Sequence, residues 1–103
     1  MPGAATPTEI HRAHALRARV VKVFPIGTLG GVAYVRAVRG PFPEIPLLPT
    51  NGITIETVRD YFAAGVLAVG VGGEIAAPDS VRRRDWEDVR RRAAAFAAAM
   101  PVR

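Results

Sequence analysis

The sequence predicts an α/β protein whose strands run parallel, and three observations carry that expectation. Short apolar runs alternate with stretches of helical periodicity, an order that requires right-handed crossovers between parallel strands. The apolar runs read as buried on both faces, as a sheet covered by helices demands. Each run also empties into a loop rich in glycine or proline: "PIGTLGG", "PTNGI" and "VGVGG". Open α/β sheets and barrels place their ligands at such strand ends.

The first helix starts at "TPTEIHRAHALRA", where Thr6 is the expected N-cap, Pro7 the first helical residue and Glu9 the partner of a capping box. A strand around Arg19–Phe24 follows, then the loop "PIGTLGG", then a helix over Val32–Val38 ended by Gly40 and Pro41. "EIPLL" is the next strand. Thr54 is expected to cap the helix "IETVRDYFAAG", in which Ile55, Val58 and Phe62 share a face and Gly65 is the stop. "VLAVGVGG" reads as a third strand. The last helix, "RDWEDVRRRAAAFAAAM", has Asp85 as N-cap and an apolar stripe of Trp86, Val89, Ala93, Phe96 and Met100. "PGAATPTEI" at the start reads as a strand-to-helix loop whose strand is missing. Three strands cannot close an eight-stranded barrel. On periodicity alone, the chain is either a small open α/β domain or the C-terminal portion of a larger one.

Composition narrows the function classes. The 103 residues suffice for one small core, and 50% hydrophobic with 22% charged residues is ordinary globular usage. With no cysteine there is neither a disulfide framework nor a thiolate metal site. No apolar run is long enough to span a bilayer, and no basic-then-apolar leader is visible, so we expect no membrane segment and a cytoplasmic location. The formal charge is +5 and almost all the basic residues are arginine. High arginine with high alanine reads as the codon bias of a GC-rich genome, so the basicity is weak evidence for a nucleic-acid partner. "VRRRDWEDVRRR" carries six arginines. Asp85, Glu87 and Asp88 interrupt them, which favours a solvated helix over a nucleic-acid patch. His11 and His14 lack a third ligand, so no metal site is expected.

Lys22 is the only lysine in the chain, and it sits inside an apolar strand between Val20, Val21, Val23 and Phe24. Alternation puts Val20, Lys22 and Phe24 on one face and Val21 and Val23 on the other. Burying an ammonium is costly, and desolvation favours the neutral amine. A neutral amine attacks a ketone and forms a Schiff base, an electron sink for carbon–carbon cleavage. A lysine snorkelling from a strand end, or paired with a carboxylate, satisfies the same sequence. The loops "PTNGI" and "VGVGGE" add backbone N–H groups able to cradle an anion, although glycines also simply end strands.

The combination "VVKVFPIGTLGG", "YVRAVRGPFPEIPLLPTNGI" and "VGVGGE" resembles the KDPG/KHG aldolase family, class I pyruvate aldolases. The resemblance spans nearly the whole chain. It implies the C-terminal part, about three strands and their helices, of a (β/α)8 barrel, with residues 1–103 as one partial domain lacking its N-terminal strands. It implies that Lys22 forms the Schiff base, that Phe24 and Pro25 shape the pyruvate pocket, and that Thr50 contacts substrate hydroxyls. Gly52, Gly72 and Gly73 match phosphate-loop positions. The implied reaction is reversible cleavage of a 2-keto-4-hydroxy acid, such as 2-keto-3-deoxy-6-phosphogluconate, to pyruvate and glyceraldehyde 3-phosphate or glyoxylate. That belongs to Entner–Doudoroff carbohydrate metabolism, needs no cofactor or metal, and is carried out by homotrimers of full-length chains. No nucleic-acid or membrane partner is implied. A non-catalytic remnant that binds an anion or sugar phosphate, and a basic nucleic-acid module, are the rival expectations.

Three departures from the family pattern qualify these expectations. Asn51 stands where the family has glycine, Ile26 where it has alanine, and Glu74 where a serine hydroxyl often meets phosphate. If Glu74 turns toward the final helix or pairs with Arg82 or Arg83, the phosphate cradle should survive, and this is the outcome expected. The resemblance places the acid/base glutamate and the residues gripping the pyruvate carboxylate on earlier strands. Glu9, Glu44 and Glu56 are not assigned to that role.

Overall fold

The computed structural model describes residues 1–101. It is an open three-stranded parallel sheet with helices packed on one face. The elements run β1 (Gly3–Ala4), α1 (Pro7–Ala15), β2 (Val21–Val23), α2 (Ile26–Leu29), α3 (Val32–Arg39), β3 (Leu47–Pro49), α4 (Val58–Ala63), α5 (Pro78–Arg82) and α6 (Trp86–Ala99). The strand order is β1-β2-β3, with Gly3 opposite Lys22, and Val21, Lys22 and Val23 opposite Leu47, Leu48 and Pro49. Sequential strands are neighbours, as parallel crossover connections predict.

Local signals set most helix ends. Thr6 accepts the Glu9 N–H at 3.2 Å while the Glu9 carboxylate accepts the Thr6 N–H at 3.0 Å, so the expected capping box is complete. Asp85 likewise accepts the Asp88 N–H at 3.1 Å. At the end of α4, Gly65 takes φ +96°, and the N–H groups of Gly65 and Val66 return to the carbonyls of Phe62 and Tyr61. That closure needs a left-handed residue, which glycine supplies without a Cβ clash.

The core lies between one sheet face and the helices. Val21, Val23, Leu47 and Pro49 point into it, joined by Ile10 of α1, Ile26 of α2, Val35 and Val38 of α3, and Val58 and Tyr61 of α4. Each fully buried aliphatic side chain contributes about 1.5–3 kcal/mol relative to exposure. The opposite face carries Gly3, half-buried Lys22 and Leu48, and Phe24, which is 48% exposed. The expectation that the strands are covered on both faces is therefore corrected: helices cover one. A Cα radius of gyration of 14.5 Å, above the about 13 Å of a compact domain this long, fits an open sector of a barrel.

Four local expectations are revised. Gly3–Ala4, read as loop, pairs with β2: Lys22 N–H donates to Pro2 O at 2.9 Å and Phe24 N–H to Ala4 O at 3.2 Å. "PIGT" contains the short helix α2, whose first N–H groups are satisfied from outside it, Ile26 by Thr50 O and Gly27 by Asn51 O. The helix expected from Thr54 starts instead at Val58, because Thr54 and Thr57 form their own turn and leave Ile55 exposed. "VLAVGVGG" runs beside β3 without a regular ladder, through Leu67 N–H to Leu47 O, Gly70 N–H to Pro49 O and a parallel bridge between Thr50 and Gly70.

The last helix is tied down mainly through Asp88. Ser80 Oγ of α5 donates to Asp88 Oδ2 at 2.5 Å, and Arg91 and Arg92 of α6 close on the same carboxylate. Arg59 of α4 donates its Nε–H to Ala99 O at 2.8 Å and so caps the far end of α6. The expected stripe is only partly buried: Phe96 is in the core, but Trp86 is 59% exposed.

Candidate active site

Parallel strands carry their C-terminal ends to one rim, and the loops leaving β2, β3 and the Val66–Gly70 segment meet there. They enclose a hollow of about 440 Å³ lined by Phe24, Thr50, Asn51, Gly72, Gly73 and Glu74. Segments far apart in sequence are thus brought to one place. Four of the seven site residues expected from the sequence, Phe24, Thr50, Gly72 and Gly73, are in that lining.

Lys22 stands one alternation below Phe24 on the open sheet face. Its Nζ is 5.3 Å from the centre of the Phe24 ring. That contact sets the amine along the strand toward the rim, within the range of a cation–π interaction. Phe24 contacts the amine and also lines the hollow, whereas Lys22 itself is not in that lining. Pro25 and Gly52 do not line the hollow. Pro25 follows a cis peptide bond and stands as the N-cap of α2, its carbonyl accepting the N–H groups of Thr28 and Leu29. Gly52, at φ +76°, is packed so closely on Gly27 that a Cβ there would sit 3.3 Å from Gly27 Cα. The role the structure gives Gly52 is close backbone approach.

Thr50 is held from two sides. Its Oγ1 donates to Leu48 O at 3.4 Å, and Gly70 lies directly against it. Added to Gly70, a Cβ would overlap Thr50 Oγ1 and come within 3.0 Å of Cγ2. The sequence alone does not single out Gly70. The only signal was its place as the first glycine of "GVGG", which does not reveal the residue it faces. Asn51 adopts φ 89°, the left-handed conformation that asparagine reaches more readily than most residues.

The glycine loop is open toward the hollow. A Cβ on Gly72 or Gly73 would meet nothing within 4 Å. Among the described residues, the Gly73 and Glu74 N–H groups have no protein acceptor, whereas the Gly72 N–H donates to Glu74 Oε2 at 3.1 Å. Of the two turns expected of Glu74, pairing with Arg82 or Arg83 is not made among the described residues, and both arginines pair with Asp79, at 3.4 and 3.3 Å. The approach to the final helix is made in part, since Glu74 borders a second hollow with Arg92 and Phe96 of α6. Of the expected phosphate donors, Gly72 is already engaged by the chain's own carboxylate.

Comparison with known proteins decides the family. The KDPG and KHG aldolase family model matches residues 1–92. The chain belongs to the KDPG and KHG aldolase family. A 2-dehydro-3-deoxy-phosphogluconate aldolase of Pseudomonas aeruginosa is 38% identical over 92 residues, 88% of this chain and 41% of the relative. The KHG/KDPG aldolase of Escherichia coli is 31% identical over 90 residues, 86% of this chain and 42% of the relative. A solved native KDPGal structure superposes with a TM-score of 0.80 at 31% identity, covering 95% of this chain and 46% of that one. A solved 4-hydroxy-2-oxoglutarate/2-dehydro-3-deoxyphosphogluconate aldolase gives 0.77 at 36% identity, covering 96% and 46%. This aldolase-family chain therefore spans less than half the length of these relatives, and its sheet and helices form part of their barrel. Among its described residues no helix is long and apolar enough to cross a membrane.

Proposed function

We propose that this chain carries the Schiff-base half of a class I aldolase site that cleaves a 2-keto-4-hydroxy acid to pyruvate and an aldehyde. The single observation behind the reading is the placement of the only lysine. Its amine rests against the Phe24 ring at the edge of a hollow bounded by Thr50 and the Gly72–Gly73 loop.

The chemistry follows from that placement. Once it has given up its proton, the Lys22 amine adds its lone pair to the substrate's keto carbon. The former carbonyl oxygen departs as water, with one proton from the nitrogen and one from solvent, leaving a protonated imine. The electrons of the C3–C4 bond then flow into the imine and form an enamine, while the C4 hydroxyl proton passes to a base and C4 leaves as an aldehyde. Protonation at C3 and addition of water release pyruvate and restore the amine. Phe24 offers an apolar surface to the keto-acid portion, and Thr50 offers a hydroxyl to the substrate's own hydroxyls. A homotrimer of full-length chains belongs to the same reading.

Trapping with pyruvate and borohydride, followed by peptide mass mapping, tests the assignment. One reduced pyruvate is expected on the Lys22 peptide and none there in Lys22→Met. The Met1 α-amine serves as the internal control for adventitious reductive alkylation. An adduct confined to Met1 defeats the proposal. The second reading, an anion-binding segment without chemistry, rests on the unpaired Gly73 and Glu74 N–H groups and predicts phosphate binding with no adduct on Lys22.

A further inference from the structure

We infer that Glu74 is a specificity-determining residue that selects a substrate whose distal end bears no phosphate. The inference rests on the aldolase reading above and narrows its substrate class. Two consecutive glycines with free space before them, and two backbone N–H groups without acceptors, form a concave donor set at a strand end. Such arrangements bind anions. Here the anion is built in: Oε2 of Glu74 accepts the Gly72 N–H at 3.1 Å, and the same side chain lines the hollow with Phe24 and Thr50.

Two effects then act against a terminal phosphate. One of the cradle's donors is occupied before any ligand arrives. The carboxylate also places a negative charge within the volume a phosphate dianion would enter, and like charges a few ångströms apart repel, more so away from bulk water. Among the described residues no ion pair neutralises it: Arg82 and Arg83 pair with Asp79, and Arg92, which borders a second hollow together with Glu74, pairs with Asp88. A short aldehyde end, neutral or bearing only hydroxyls, meets neither obstacle.

The test uses inorganic phosphate as the probe and the backbone amide resonances of Gly72 and Gly73 in the full chain as the readout. Wild-type protein should show weak, unsaturated shifts. Glu74→Ser should gain saturable binding at least about tenfold tighter, the factor expected when roughly one like-charge contact is removed. Glu74→Gln retains a hydrogen-bond acceptor without the charge. A gain in Gln equal to that in Ser supports the inference through repulsion, and a gain in Ser alone supports it through donor occupancy. Equal phosphate binding by wild type and both variants overturns it. The Lys22 adduct assay is run in parallel on the same proteins. Loss of the adduct with a phosphate gain in Glu74→Ser removes the aldolase reading and not the role of Glu74. An adduct with no phosphate gain does the reverse.

Discussion

Gly70 lies so close to Thr50 that its missing side chain is what leaves room for the Thr50 hydroxyl. The two residues bridge β3 to the segment that follows α4, and any Cβ on Gly70 would overlap Oγ1. Gly70→Ala should therefore destabilise the chain by the 1–3 kcal/mol typical of overpacking. For a domain of this size that lowers Tm by about 4–8 °C per kcal/mol. Thr50→Ala removes the overlapped atoms, so the double variant should recover part of the loss. Thermal denaturation of the four-member cycle checks it. A neutral Gly70→Ala, or a double variant no better than additive, would show that the contact relaxes without cost.

Acid should weaken the anchoring of α6. The Ser80 hydroxyl, then the Arg92 guanidinium, hold the Asp88 carboxyl below the usual aspartate range. A folded-state value below the unfolded one adds stability at pH values above the ordinary range near 4, and that stability is lost as pH falls through the lowered value. Tm should therefore drop below about pH 4. Asp88→Asn should lower Tm at neutral pH and flatten this decline. Some acid sensitivity should remain, since the Thr6 hydroxyl and backbone hold Glu9 below its usual value in the same direction. A Tm–pH curve for Asp88→Asn parallel to that of the wild type would remove Asp88 from the account.

Adduct formation and turnover should separate in the 103-residue chain. On the proposed reading Schiff-base formation needs Lys22 and a ketone, while cleavage also needs a positioned acid/base. Among the described residues Glu74 is the only carboxylate lining the hollow, and it accepts the Gly72 N–H. Absence of a positioned acid/base typically costs about 10²–10⁴ in rate. Borohydride should trap pyruvate readily while pyruvate release from a 2-keto-4-hydroxy acid runs that far below the rate of a full-length relative. Turnover comparable to the relative's would make Glu74 the first residue to test as the missing base.

Association with itself is the expected solution behaviour of the chain. Among the described residues β1 has one edge without a partner strand, and the uncovered sheet face carries Phe24 at 48% exposure, with Leu67 at 47% and Trp86 at 59% also exposed. Open edges and apolar faces drive association. Sedimentation should be concentration-dependent, and the fluorescence of the single tryptophan should shift to the blue as concentration rises. A monomer with constant emission at all concentrations would count against this.

The sequence by itself determined whatever is settled within one helical turn or one strand alternation. Thr6, Pro7 and Glu9 specify the start of α1, Asp85 that of α6 and Gly65 the end of α4, because their partners lie within four residues. Alternation alone set Lys22 and Phe24 on the face away from Val21 and Val23, and the motif combination was enough to name the family. Only the tertiary structure decided the rest, where the partner lies far along the chain. Two residues become β1 because β2 supplies their ladder, and "PIGT" becomes α2 because Thr50 and Asn51 accept its first N–H groups. Gly70 matters through Thr50, and Gly52 through Gly27. Trp86, apolar and in phase with the stripe of its helix, is exposed because no described element covers it. Glu74 carries a rotatable side chain, and alternation or helical spacing does not say whether it meets an arginine of a later helix or an amide two residues away. In the structure Arg82 and Arg83 pair with Asp79, and the Glu74 carboxylate accepts the Gly72 N–H.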